Sequence, residues 1–344
     1  MLEHGGNLQE AARLYDRPVA HWLDLSTGIN PRYYPVPVVA DQAWHRLPET
    51  LPALSRAAQE FYGAPAMLAV AGTQAAIQAL PRLRSLNYGA SRVVVAAPSY
   101  AEHAHQWRQH AHQVQECCYD QLGAAVATAD VMVLCNPNNP TGETIAAQTL
   151  LDWAAQLAGR GGWLIVDEAF GDTASELSVA SSTAQPGLIV LRSVGKFFGL
   201  AGLRLGFVAA QTSLLIQLQN MLGPWTISGP AQQIAHAALE DRAWQIDTRL
   251  YLQMAGTRLH RLLQEHGFSS SGTHLFQWCS DAALQGKTEQ LWQHLAGQGI
   301  WVRLFRDAAR GLRFGLPPDE AGWQKLTAAL TTASTTGIDT WTKK

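Results

Sequence analysis

Between Met67 and Ala209 short apolar runs alternate with segments of helical period, and that alternation restricts the possible folds more than any other feature. The runs are Met67–Val70, Val93–Ala97, Val131–Cys135, Trp163–Val166, Leu188–Leu191 and Leu205–Ala209. A strand apolar at successive positions is buried on both faces, which requires helices above and below a mostly parallel sheet. The expected fold class is therefore α/β. In open sheets of this kind, ligands gather beyond the carboxyl ends of the strands.

Those ends carry unusual groups. Ala71-Gly-Thr-Gln74 opens a helix, so the amides of Thr73 and Gln74, after Gly72, sit where an anion binds. Tyr100 follows the second run, where an aromatic packs into the core or faces a ligand. Asn136-Pro-Asn-Asn-Pro-Thr-Gly142 follows the third. Asp167 ends the fourth, and a carboxylate there needs a partner. The fifth leads into Ser193-Val-Gly-Lys-Phe-Phe-Gly-Leu-Ala-Gly-Leu-Arg-Leu-Gly206, which puts a hydroxyl, an amine and a guanidinium in one glycine-rich segment.

Gly195-Lys196 is not a nucleotide P-loop. That motif needs a glycine at position 190, which is Val, and Ser or Thr at 197, which is Phe. Ser193, three residues before Lys196, and Arg204, eight after it, suit a lysine bonded to a phosphorylated aldehyde. Such a lysine needs a depressed pKa, which nearby cations and desolvation provide.

With 47% hydrophobic and 15% charged residues, the 344-residue chain reads as a globular protein of about two domains. A formal net charge of −2 gives no reason to expect nucleic acid or an anionic membrane as a partner. No apolar run approaches membrane-spanning length. The four cysteines form no disulfide framework, and the first residues lack a secretory layout, which predicts the cytoplasm.

Taken together, Asn139, Asp167-Glu-Ala-Phe170, Ser193-Val-Gly-Lys196 and Arg204 resemble the aspartate aminotransferase superfamily, the fold type I enzymes that use pyridoxal 5'-phosphate. The resemblance implies a covalent cofactor link at Lys196, with Ser193, Arg204, Gly72, Thr73 and Gln74 around the phosphate. It further implies that Tyr100 stacks on the ring, Asn139 hydrogen-bonds its phenolic oxygen, and Asp167 pairs with its nitrogen. A homodimer with sites at the interface is also implied.

Two positions depart from the commoner pattern. Phe170 stands where many relatives have a tyrosine, and Leu47 where histidinol-phosphate aminotransferases carry one. With His4-Gly-Gly-Asn7, Asp24-Leu-Ser-Thr-Gly-Ile-Asn-Pro31 and Pro224-Trp-Thr-Ile-Ser228, these departures resemble the L-threonine-O-3-phosphate decarboxylases of cobalamin biosynthesis. The likeness spans nearly the whole chain and is weakest over 268–300. It implies a small phosphorylated amino acid as substrate and loss of CO2. A histidinol-phosphate-type aminotransferase and a cofactor-binding regulator without turnover remain alternatives.

The expected domains are a large cofactor-binding domain over 46–240 and a smaller α+β domain built from 1–45 and 241–344. A long helix should run from Ala243 to His266. Gly299–Arg303 and Gly311–Gly315 each place an arginine within an apolar strand, and a buried guanidinium calls for an anion. By resemblance Arg313 binds the substrate carboxylate, and Arg303 is a candidate for its phosphate. His4 and Asn30 are further candidates, although both also suit capped turns. His103, His105, His110 and His112 do not form a closed ligand set, so no metal is expected there.

Overall fold

The computed structural model describes residues 5–307 and 309–335, so His4 lies outside the described residues. The chain divides into two compact units. The larger comprises Tyr33–Asn139 and Glu143–Thr248; the smaller comprises the described residues up to Arg32, Pro140–Gly142 and those from Arg249 onward.

In the larger unit seven strands form one sheet in the order Met67–Val70, Gly206–Ala209, Leu188–Ser193, Trp163–Asp167, Val131–Cys135, Arg92–Ala96, Gln113–Cys117. Gly206–Ala209 runs antiparallel to both its neighbours, and the other pairings are parallel. The six expected strands are all present. The seventh, Gln113–Cys117, is a polar edge strand exposed along most of its length, so it carries no buried apolar run to announce it.

The helices Thr73–Tyr88, Glu102–Gln109 and Thr212–Leu222 pack Ile77, Leu80, Leu83, Trp107, Leu215 and Leu218 onto Val70, Val93, Val131, Ile165, Leu191 and Val208 of the sheet. Fully burying side chains of this size contributes about 1.5–3 kcal/mol each. The central strands are thereby held rigid, and their carboxyl ends become fixed mounting points.

The domain boundaries differ from those expected at 45/46 and 240/241. Residues 33–45 belong to the larger unit: Tyr34 N–H donates to Phe198 O at 2.8 Å, the Tyr34 ring meets Trp244 edge-on at 5.2 Å, and Gln233 accepts from Ala40 N–H. The second division falls between Thr248 and Arg249, inside a helix over Arg242–Glu265 that matches the expected long helix.

The smaller unit has a five-stranded sheet in the order Leu23–Leu25, Ile300–Phe305, Gly311–Gly315, Phe276–Ser280, Ser271–Thr273. Leu23–Leu25 pairs parallel with Ile300–Phe305, and the other pairings are antiparallel. No described helix is long and apolar enough to cross a membrane.

Candidate active site

One cavity of the larger unit is lined by Gly72, Thr73, Gln74, Tyr100, Asn139, Asp167, Ser193, Lys196 and Arg204. Every cofactor residue expected from the sequence is thus brought together. Cys135, Ala169, Phe170, Gly195, Ala201 and Leu205 complete the lining.

At one end the groups suit a phosphate. Gly72, at φ +70°, caps the Thr73–Tyr88 helix, so the first amides of that helix present its positive end. The Arg204 guanidinium lies so close that a Cβ on Gly72 would sit 2.5 Å from Nη2. Arg204 itself adopts φ +52°, and its Nη1 donates to Ala201 O at 3.0 Å. Ser193 Oγ accepts from Gly195 N–H at 3.2 Å, fixing its rotamer on the turn that leads to Lys196.

At the other end is a buried ion pair. Asp167 Oδ1 accepts from Ala169 N–H at 3.0 Å, and His103 Nε2–H donates to Oδ2 at 3.0 Å. Burial alone would push His103 down, but bonding to Asp167 and the adjacent Cys135 outweigh it and raise it to about 10. The protonated imidazole is thereby favoured, and it backs the Asp167 side chain from behind. The other histidines keep bland roles: the helix ends at Gln109, and His112 accepts from Ser91 N–H while its Nε2 meets Pro81 O. His103, Cys135 and Asp167 do place three metal-ligating atoms within 4.8 Å of one another, and hydrogen bonds of His103 to Asp167 and Cys135 account for that closeness.

Between these ends the Tyr100 hydroxyl donates to Gln74 Oε1 at 3.2 Å, and Gln74 Nε2 donates to Glu102 at 2.8 Å. Gln74 thus contributes its side chain as well as its expected amide. Burial, then the carboxylates of Glu102 and Asp167, push the Tyr100 phenol up to about 12, so it stays protonated. Lys196 Nζ lies 5.3 Å from the centroid of the Phe170 ring. The segment bearing Phe170 is clamped by Arg192, whose guanidinium bonds Glu168 and, at 2.5 Å, Asp172. Glu168 also accepts from Ser178 Oγ–H and Val179 N–H.

In the smaller unit Arg303 and Arg313 stand directly opposite on neighbouring strands. Arg313 Nη2 donates to Ser26 O at 2.8 Å, and burial, then the charge of Arg303, lower its pKa to about 9. A cation so disfavoured is stabilised by an arriving anion. Asn30, also buried, uses Oδ1 to accept from Arg32 N–H at 2.9 Å, which makes it a turn-former whatever else it binds.

The larger unit's cavity fits pyridoxal phosphate. A helix amino terminus, a hydroxyl and a guanidinium match a dianionic phosphate; a buried carboxylate matches a protonated ring nitrogen; and Lys196 supplies the amine for the aldehyde.

Comparison with known proteins agrees with this chemistry. A Pseudomonas aeruginosa protein named threonine-phosphate decarboxylase is 50% identical over 331 residues, covering 96% of this chain and 97% of the relative. A Sinorhizobium protein of the same name is 40% identical over 96% of this chain and 97% of its own length. Among solved structures, the histidinol-phosphate aminotransferase of Sinorhizobium meliloti in complex with pyridoxal-5'-phosphate superposes with a TM-score of 0.80 at 18% identity, covering 97% of this chain and 96% of its own, which shows a shared fold. Residues 24–335 match the model of aminotransferase class I and II, and the chain belongs to that family.

Proposed function

We propose that the protein is a pyridoxal-phosphate-dependent threonine-phosphate decarboxylase, converting L-threonine O-3-phosphate to (R)-1-amino-2-propanol O-2-phosphate and CO2. The observation that carries this reading is the 50% identity to a protein of that name over 96% of the chain, spanning both units. The histidinol-phosphate-type aminotransferase alternative has the weaker support, 26% identity over 83% of the chain to a protein of that name, and Leu47 stands where that group carries a tyrosine.

Bound cofactor supplies an electron sink for the pair released when a bond to the substrate Cα breaks. The chain's residues decide which bond that is. Asp167, backed by His103, would keep a proton on the ring nitrogen of bound cofactor. Arg313 would take the substrate carboxylate and Arg303 its phosphate, and an orientation fixed by these anions would decide which Cα bond breaks. After CO2 leaves, Lys196 Nζ delivers a proton to Cα. Phe170 offers that amine an aromatic face and no competing acid.

The reaction would serve cobalamin biosynthesis, as the resemblance implies. A homodimer is part of the reading, supported by exposed apolar side chains at Tyr33, Val38, Trp44 and Leu47. So is a reducing cytoplasm, supported by four free cysteines.

Purified protein loaded with cofactor and given L-threonine O-3-phosphate without any keto acid should release CO2 over many turnovers per site. Conversion of the cofactor to its amine without CO2 would overturn the reading in favour of an aminotransferase.

A further inference from the structure

Arg303 and Arg313 are paired across the antiparallel strands Ile300–Phe305 and Gly311–Gly315, and like charges directly opposite disfavour such pairing. Aromatic side chains surround them. The Arg303 guanidinium lies 5.1 Å from the centroid of Phe305, and Arg313 lies 5.9 Å from that same ring and 5.3 Å from Phe276. All three distances fall within cation–π range.

Phe305 is itself fixed. Trp278 meets it edge-on, with centroids 5.3 Å apart and planes at 89°. The indole has room because residue 311 is glycine: a Cβ there would lie 2.6 Å from Trp278 Cη2 and 2.8 Å from Cζ2. Gly311 thus admits Trp278, Trp278 orients Phe305, and Phe305 contacts both arginines.

The choice of an aromatic has a physical reason. A carboxylate between the two guanidinium groups would relieve their repulsion by neutralising them, and would then compete with an anionic substrate. A ring quadrupole attracts both cations and leaves their charge available. Asp24, whose charge acts on Arg313, also accepts from Ser26 N–H and Oγ–H.

We propose that Phe305 is a positioning residue for substrate anions: held by Trp278, it sets the spacing of Arg303 and Arg313, so that the smaller unit selects molecules bearing both a carboxylate and a phosphate. This rests on the reading that these arginines take the two substrate anions.

The test uses cofactor-loaded full-length protein, measuring KM and kcat for L-threonine O-3-phosphate and the Kd of inorganic phosphate by titration calorimetry. Phe305→Leu should raise both KM and the phosphate Kd about tenfold, with kcat within about threefold of wild type. Phe305→Tyr, which keeps the ring, should stay within about threefold on every measure. Phe305→Met, of similar bulk without a π face, carries the leucine expectation and serves if the leucine variant does not fold. Arg303→Gln separates the two levels of the proposal. If it raises KM and phosphate Kd while Phe305→Leu leaves both within about twofold, the arginine reading stands and the role of Phe305 is overturned. If Arg303→Gln changes neither, the arginine reading fails and the proposal with it. A fall in kcat larger than the rise in KM for Phe305→Leu would also overturn it, because the ring would then serve the chemistry or the fold.

Discussion

His103 Nε2 lies 3.0 Å from Asp167 Oδ2, and both side chains are almost wholly buried. Bonding to Asp167 and Cys135 outweighs the burial that would lower the imidazole, so its protonated form is favoured. A raised folded-state pKa contributes stability that is fully present below the ordinary value of 6.5 and is lost as pH rises through about 10. His103→Leu leaves Asp167 buried without its cation and should cost about 3–5 kcal/mol. Urea unfolding of cofactor-free protein across that pH window checks both points. A loss below about 1 kcal/mol, or an unchanged pH slope, would rule out a buried charged pair.

That contact also marks where sequence reasoning stopped. Asp167, Asn139, Ser193 and Lys196 were legible because each follows a buried apolar run, so their common location was implied by the sheet itself. His103 was not. It sits among other histidines on the short helix Glu102–Gln109, and its partner is 64 residues away, brought near only by the packing of that helix against the sheet. The side-chain role of Gln74 stayed hidden for the same reason, since it depends on Tyr100 and Glu102 arriving from elsewhere in the chain. The place of residues 33–45 in the larger unit is not legible in the sequence, because backbone bonds such as Tyr34 N–H to Phe198 O leave no trace in side-chain pattern.

Gly72 should prove intolerant of any side chain. Its φ of +70° disfavours other residues, and a Cβ would lie 2.5 Å from Arg204 Nη2. Gly72→Ala should displace the guanidinium and weaken cofactor binding about 10- to 100-fold, with far-UV circular dichroism unchanged. Equilibrium dialysis of pyridoxal phosphate against the variant measures this. Wild-type affinity would show that Arg204 is not held by Gly72 for phosphate.

Arg192 is the centre of a second buried ion cluster. Its guanidinium bonds Glu168 and Asp172 and lies 4.4 Å from the Tyr62 ring centroid, while a Cβ on Gly171 would come 2.9 Å from Nη1. Burial would lower the pKa of Arg192, but the two carboxylates raise it further. Arg192→Met deprives two buried acids of their cation and should destabilise the larger unit by about 3–5 kcal/mol. It should also loosen the segment carrying Phe170 beside Lys196, shifting the absorbance of bound cofactor. Denaturant unfolding and visible spectroscopy read the two effects. A stable variant with an unaltered spectrum would show that the clamp does not hold that segment.

Arg313 should show the opposite balance between stability and function. It is a buried cation opposite Arg303, lowered by desolvation and then by that like charge, so it is retained at a cost to the fold. Arg313→Gln removes the charge and keeps a polar side chain. The midpoint of thermal unfolding without substrate should therefore stay level or rise, corresponding to a gain of up to about 1 kcal/mol. The KM for the phosphorylated substrate should rise about 10- to 100-fold, the value of a charge-assisted bond to a carboxylate. The wild-type protein should gain thermal stability on adding substrate, and the variant should gain much less. A variant that melts several degrees lower yet binds substrate normally would make Arg313 part of the scaffold, and the carboxylate would need another partner.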